Sequence, residues 1–393
     1  MGERRDRRIL TWILAGTLIL VCGYSLCYNV IGVTMDPLIE EFQLTGAAQG
    51  LMSSMISLGS MLSLLLLPLL QGRVHKMWLI LFRSILQLLM LLLTGAASGF
   101  TMLLTACVLL GAGNNFTDSC VNNYVVDLYG DDSGRSLSLI HGFYGIGGLI
   151  TPVLITAILA RGGWRSAYFA AAGVFAAICV VFAAVCLPRF RKVDTAAAAV
   201  EQKITREMFA SYLREPRNLF ILGAAAFSAA AQVGLINWVV RYESVRYNSA
   251  EIGSMCMFAY WVTCAGCRVF ASSLRISPNK ILIGGATAAG VAHALGILCG
   301  GTWGMLVASG FVGLLSGLCI PMLVGEAARG NADKTALTTS AVFLIMGLAR
   351  MVMPLVMGAV GGASLVAAML LPAAAHVLVA VCTALGNKRL PRA

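Results

Sequence analysis

Apolar residues run along this chain in long, unbroken stretches, and the short turns between them collect most of its charge. A run of about 20 apolar residues is what crosses roughly 30 Å of hydrocarbon as a helix. Twelve such runs are legible, at 9–35, 46–70, 77–98, 101–128, 136–160, 165–187, 217–242, 250–274, 281–300, 302–328, 336–360 and 364–386. Only the Gly300-Gly301 turn separates the ninth from the tenth. The longest hydrophilic segment, 188–216, divides the runs six and six. The pattern predicts an all-α integral membrane protein of twelve transmembrane helices in two pseudo-symmetric six-helix bundles. Residues 1–187 would form the first, 188–216 a cytoplasmic linker and 217–393 the second.

The two halves echo each other. Gly145-x6-Pro152 in the fifth run matches Gly347-x6-Pro354 in the eleventh, 202 residues later, and Gly50 and Gly253 open the second and eighth runs 203 residues apart. Basic turns follow those two runs, at Arg73–Lys76 and Arg275–Lys280. Six-helix repeats in one orientation form a parallel repeat about an axis along the membrane normal, an arrangement that places a solute site near the midplane.

Charge sets the expected orientation. With the N-terminus inside, cytoplasmic ends and loops hold 21 of the 28 basic residues and the outer loops four, while Arg83, Arg268 and Arg350 lie within spans. The first outer loop is acidic, with Asp36, Glu40 and Glu41. By the positive-inside rule both termini are cytoplasmic, in a multi-pass protein of the cell (cytoplasmic) membrane. The net charge of +11 is absorbed by this asymmetry and gives no reason to expect nucleic acid. The basic start, Arg4 to Arg8, resembles a signal peptide, but its apolar run is too long and lacks a cleavage motif, so it reads as an uncleaved first span. At 59% hydrophobic and 11% charged, the composition is far from that of a soluble domain.

Candidate chemistry stands out against this background. Asp118 sits inside the fourth run, where a carboxylate costs roughly 2.5–3.5 kcal/mol even on lenient insertion scales. Gly111, Asn115, Asp118, Ser119 and Asn122 fall within about a third of a helix circumference, a polar stripe suited to a water-filled path. Asp118 reads as a proton carrier, or else as a fixed ion pair with a basic residue on a neighbouring helix. Asn115 and Asn122 offer donors and acceptors for hydroxyls or carboxylates, or bond helix to helix. His141 reads as a relay or a packing residue near the cytoplasmic interface, with Tyr144 one turn deeper. Arg350 is suited to an anionic group or to a counter-ion role toward Asp118 or Glu326; its repeat-mate is Gly148. Arg268 and Glu326 lie near cytoplasmic ends and read as gating contacts. Gln232, Trp238 and Tyr242 share a broad face of the seventh run, Trp238 being the better solute contact. Tyr28 and Asn29 on the first run are weaker additions.

No metal or cofactor is expected. Cys264-Ala-Gly-Cys267 has a metal-like spacing, but it lies inside a span with no His or carboxylate within a turn. No enzyme motif and no phosphate-binding Gly-x4-Gly-Lys-Ser/Thr loop is present.

The residues Gly111-x-Gly113-x4-Asp118-x3-Asn122, followed by His141-x-x-Tyr144-Gly145-x-Gly147-x4-Pro152, resemble the major facilitator superfamily, most closely its fucose-permease-like sugar:proton symporters. Trp238-x3-Tyr242 and Arg268 add to the resemblance. Two features depart from it. The turn Gln71-Gly-Arg-Val-His-Lys76 lacks the usual acid, and Val33 stands where a first-span acid is expected. The resemblance implies a monomeric secondary transporter working by alternating access, with a small-molecule solute and protons as partners. Proton-coupled uptake of a sugar or organic acid is the leading expectation. Efflux of amphipathic compounds and a non-transporting membrane sensor are the alternatives.

Overall fold

The computed structural model describes residues 2–70, 74–129, 133–190, 206–271, 277–328 and 335–388, with side chains throughout except at 2–7, 64–70, 114–119, 122–123, 126–127, 133–135, 138, 141, 206, 209, 269, 271, 328 and 335–336. Among the described residues every element is helical and no strand occurs. The fold is the expected all-α membrane one, and among the described residues eight stretches are long and apolar enough to cross a membrane by length and composition. Helices are the natural outcome, because a backbone in hydrocarbon must satisfy its own N–H and C=O groups.

The first unit, Met1–Phe42 with Leu58–Glu201, contains α1 (Gly2–Val33), the short α2 (Met35–Phe42), the second half of α3 (Gly46–Leu70), α4 (Lys76–Gly95), α5 (Phe100–Tyr129) and α6 (Ser133–Phe190). The fifth and sixth predicted spans join as α6, bent at Gly163, whose φ of 73° favours glycine. His75 caps α4 by accepting a hydrogen bond from the Met77 amide at 3.1 Å.

The second unit, Gln43–Ser57 with Gln202–Ala393, begins with the first half of α3. It continues with α7 (Arg206–Arg214), α8 (Pro216–Tyr247), α9 (Ala250–Ala271), a π-helical turn (Lys280–Gly285) leading into α10 (Ala286–Leu298), α11 (Gly301–Ser316), α12 (Cys319–Ala328), α13 (Thr335–Gly361) and α14 (Leu365–Asn387). Pro216 opens α8 where a missing N–H costs nothing, and Asn248 closes it in the left-handed region. Gly301 turns the chain from α10 to α11 with φ 55°. The Ser364 hydroxyl caps α14 by accepting from the Ala367 amide at 3.2 Å. The first half of α3 lies on α13, where the Ser54 hydroxyl donates to the Met351 carbonyl at 2.6 Å.

The tenth predicted span is broken into α11 and α12. Pro321 supplies the reason: it has no N–H to give the Gly317 carbonyl four residues earlier. The Arg268 side chain on α9 fills the gap, its Nε donating to Gly317 O at 3.0 Å.

Inside each unit the same pairings recur. α1 packs on α6 as α8 packs on α13 and α14; α4 packs on α5 and α6 as α10 packs on α11 and α14. The second span meets the fourth where Gly59 presses on the Val108 carbonyl, and the eighth meets the tenth where Gly313 presses on the Tyr260 carbonyl. At both positions a Cβ would collide with backbone, so each glycine sets how closely the two helices approach.

Candidate functional site: intramembrane arginine–glutamine clusters

The first cluster is built around Arg83 on α4, which is only 1% exposed. Its Nε donates to the Gly113 carbonyl on α5, and its Nη2 reaches Gln87 Oε1 at 3.5 Å. The guanidinium lies over the Tyr24 ring of α1, 3.2 Å from the centroid, a cation–π contact out of water. Tyr24 is fixed in turn by the Ser84 hydroxyl at 2.7 Å. Among the described residues Arg83 Nη1 and Gln87 Nε2 are buried donors without acceptors, and no carboxylate pairs with Arg83. Gly113 makes the arrangement possible, since a Cβ there would lie 3.3 Å from Gln87 Oε1 and 3.4 Å from Arg83 Nε.

Asp118 follows Gly113 on the same helix by about 7.5 Å of rise. Its side chain and those of Asn115 and Asn122 lie outside the described residues, as does the side chain of His141; their backbones are helical, in α5 and α6. Tyr144 is partly buried on α6. Asn29 on α1 is 2% exposed and donates to the Ser25 carbonyl at 2.8 Å, leaving its Oδ1 without a described partner.

The second cluster, in the other unit, repeats the theme. Gln232 on α8 donates to the Tyr260 hydroxyl of α9 at 3.0 Å. Its Oε1 accepts from Arg350 Nη2 of α13 at 3.5 Å. Two predicted solute contacts, Gln232 and Arg350, are therefore brought together, with Tyr260 as an addition that sequence reasoning missed. Trp238 lies elsewhere on α8: it is 1% exposed, its ring faces Gly361, and its Nε1 has no partner among the described residues. Tyr242 is buried too, and its hydroxyl donates to the Ile297 carbonyl at 3.3 Å.

Two of the predicted gating residues, Arg268 and Glu326, have described partners. Arg268 serves the break between α11 and α12, as described above. Glu326 on α12 instead faces Arg217 at the start of α8, with Nη2 to Oε2 at 3.6 Å and Nη2 to the Glu326 carbonyl at 3.1 Å. Cys264 and Cys267 are free thiols, and no group of metal-binding side chains occurs among the described residues.

Arg83 and Gln87 escaped the sequence reading as a site. The signal available was an i, i+4 pair of polar residues in an apolar helix, with Ser84 alongside. Their partners, Tyr24 and Gly113, are far away in sequence.

Residues 17–274 match the sequence model of the Major Facilitator Superfamily. The chain belongs to that superfamily. Superfamily membership makes it a multi-pass membrane transporter and not an enzyme. It is 24% identical over 295 residues to a TsgA homologue of Erwinia tasmaniensis, covering 71% of this chain and 69% of that one. Among solved structures, it superposes on a bacterial homologue of the human lysosomal transporter Spinster, inward-facing and occupied, with a TM-score of 0.70 at 15% identity, covering 97% of each chain. It also superposes on a single-residue variant of the Escherichia coli fucose:proton symporter FucP with a TM-score of 0.65 at 18% identity, covering 95% of this chain and 98% of that one. At these identities the structural likeness shows the shared superfamily fold.

Proposed function

We propose that this superfamily member takes up a small polar solute, a sugar or an organic acid, together with protons. One observation carries the reading: each unit holds, inside its spans, an arginine bonded to a glutamine and a tyrosine close by. The groups are Arg83, Gln87 and Tyr24 in one unit and Arg350, Gln232 and Tyr260 in the other. Guanidinium and amide groups together suit solutes rich in oxygen acceptors, whether hydroxyl or carboxylate. Intramembrane polar groups of this cost are kept for solute or ion pathways.

In this reading Asp118 carries the proton, and Arg83 is the fixed positive charge on the adjoining helix. Asn115, Asn122, Asn29 and Tyr144 complete the solute-facing set, and Trp238, packed on Gly361 in this structure, would join it only if α8 and α13 move. His141, Arg268 and the Arg217–Glu326 pair act at the gates. The protein works as a monomer in the cytoplasmic membrane with both termini on the cytoplasmic side. The likeness to a fucose:proton symporter supports the choice of sugars and protons as the first things to test.

The test is uptake into proteoliposomes under an imposed inward proton gradient, with L-fucose, D-galactose, lactate and gluconate as labelled solutes. At least one is expected to accumulate, and a protonophore should abolish the accumulation. Asp118→Asn should remove the gradient's effect on that solute. Uptake of none of them, alongside gradient-driven export of a cationic dye, would overturn the reading.

A further inference from the structure

Glu243 lies in the last turns of α8, and its residue surface is 0% exposed. Neither carboxyl oxygen has a hydrogen-bond partner among the described residues. Its backbone carbonyl is occupied, accepting from the amides of Asn248 and Ser249, so the chain around it is firmly turned. The side chain is sealed by the close seam between α8 and α9. There a Cβ on Gly253 would sit 2.6 Å from Val240 Cα and 3.2 Å from Glu243 Cβ.

The described groups that face it are uncharged. From α9 comes the buried thiol of Cys256, and from α11 the hydroxyl of Thr302, which points toward the carboxyl without closing a hydrogen bond. Ser309 on α11, beyond Cys256, is a buried hydroxyl and carries no charge. On α8 itself, Tyr242 is committed to the Ile297 carbonyl. Arg246 is exposed and bonds the Tyr247 hydroxyl at 3.2 Å. No cation among the described residues, Arg241 on α8 included, hydrogen-bonds to the Glu243 carboxyl, and Glu251 on α9 is exposed.

A carboxylate closed away from water, with neither a cation nor a donor bonded to it, is far costlier than the same group as a neutral acid. A purely structural role would be served better by an apolar side chain of similar length, which has neither charge nor donor to satisfy. The one ligand that relieves the site without rearranging it is a proton.

We propose that Glu243 is a second proton-binding site of this transporter. In the closed seam of α8, α9 and α11 it is a neutral carboxylic acid. When the seam opens and water reaches it, the proton passes to a water molecule and a carboxylate remains; closing requires that one proton be taken back. Each opening and closing of this seam is thereby tied to one proton. The role in coupling rests on the transport reading above, whereas the protonation itself does not.

Infrared difference spectroscopy of the purified protein in liposomes, between acid and alkaline buffers, tests this directly. Wild-type protein carrying carboxyl-isotope-labelled glutamate should show a label-shifted carbonyl band of a protonated acid at neutral pH, and Glu243→Gln should lack it. Glu243→Asp, measured alongside with labelled aspartate, should move the band to that label and serves if the glutamine variant fails to fold. A wild-type spectrum without a protonated glutamate at neutral pH, or a band that persists in Glu243→Gln, would overturn the proposal. Asp118→Asn separates the two readings. If it abolishes gradient-driven uptake while no Glu243 band exists, the transport reading stands and this one falls. If the band is present while Asp118→Asn leaves uptake unchanged, the reverse holds.

Discussion

An arginine with 1% of its surface exposed must satisfy five N–H donors from within the fold, and among the described residues Arg83 does so only in part. A structural cation of this kind is replaceable by a long apolar side chain with little loss of stability. Arg83→Met is therefore expected to fold, by circular dichroism and gel filtration, yet to lose uptake by roughly ten- to a hundredfold, the worth of a charged hydrogen bond to solute. Full uptake by Arg83→Met would assign the arginine to packing. Glu41 gives a different kind of test. It pairs with Arg165 at 2.6 Å and accepts from the Trp164 indole at 2.6 Å, and these two partners hold its carboxyl below the usual carboxylate range. A lowered folded value means that the stabilisation is complete above the unfolded value of about 4.3 and disappears as pH falls through the lower folded one. Thermal melts should show Glu41→Gln less stable than wild type at pH 7 and indistinguishable from it in strong acid. The sequence displayed Asp118 plainly, as a charge in an apolar helix. It showed Gly113 only as part of a pattern, because the reason for that glycine is an arginine 30 residues earlier on another helix.

Elements were the most readable level, because length and hydrophobicity alone determine where a helix crosses a membrane. Wherever their residues are described, the twelve predicted spans lie in helix, with differences at their joints. The fifth and sixth fuse across Gly163, where the turn is made by one residue's backbone angle instead of a loop. The tenth breaks at Gly317, and the cause, Pro321, was visible; its partner Arg268 was not, since a side chain serving another helix's carbonyl is a tertiary event. Arg268→Met should strand that buried carbonyl at a cost of about 1–3 kcal/mol, read as a lowered melting temperature in detergent. Arg268→Lys should recover part of the loss, its ammonium replacing the guanidinium as donor. At the close approach of α9 and α11, Gly313→Leu should destabilise by about 1–3 kcal/mol or more, because a side chain there meets the Tyr260 carbonyl and not a movable group. The same change at an open glycine such as Gly266 should be nearly silent. Equal melting temperatures for the two variants would contradict this account of the packing.

Over the whole chain, the repeat seen in sequence as Gly145-x6-Pro152 and Gly347-x6-Pro354 returns as matching helix pairings inside the two units. The chemistry does not copy so evenly. Arg83 and Arg350 are on different helices of the repeat, the third span and the eleventh, and the sealed acid Glu243 lies on α8. Hydrophobic periodicity preserves a fold through such changes because helix packing asks only for apolar faces and small residues at crossings. It does not preserve which helix supplies a charge, so the solute and its coupling were less legible than the architecture. The claim that joins these levels is that solute and proton move together through Asp118. The most direct measurement adds the transported solute, at high concentration, to unbuffered proteoliposomes with no imposed proton gradient and records external pH. Proton-coupled uptake predicts alkalinisation of the medium in step with solute entry, present in wild type and absent in Asp118→Asn. Solute entry without any pH change in wild type, or an undiminished pH change in Asp118→Asn, would contradict it.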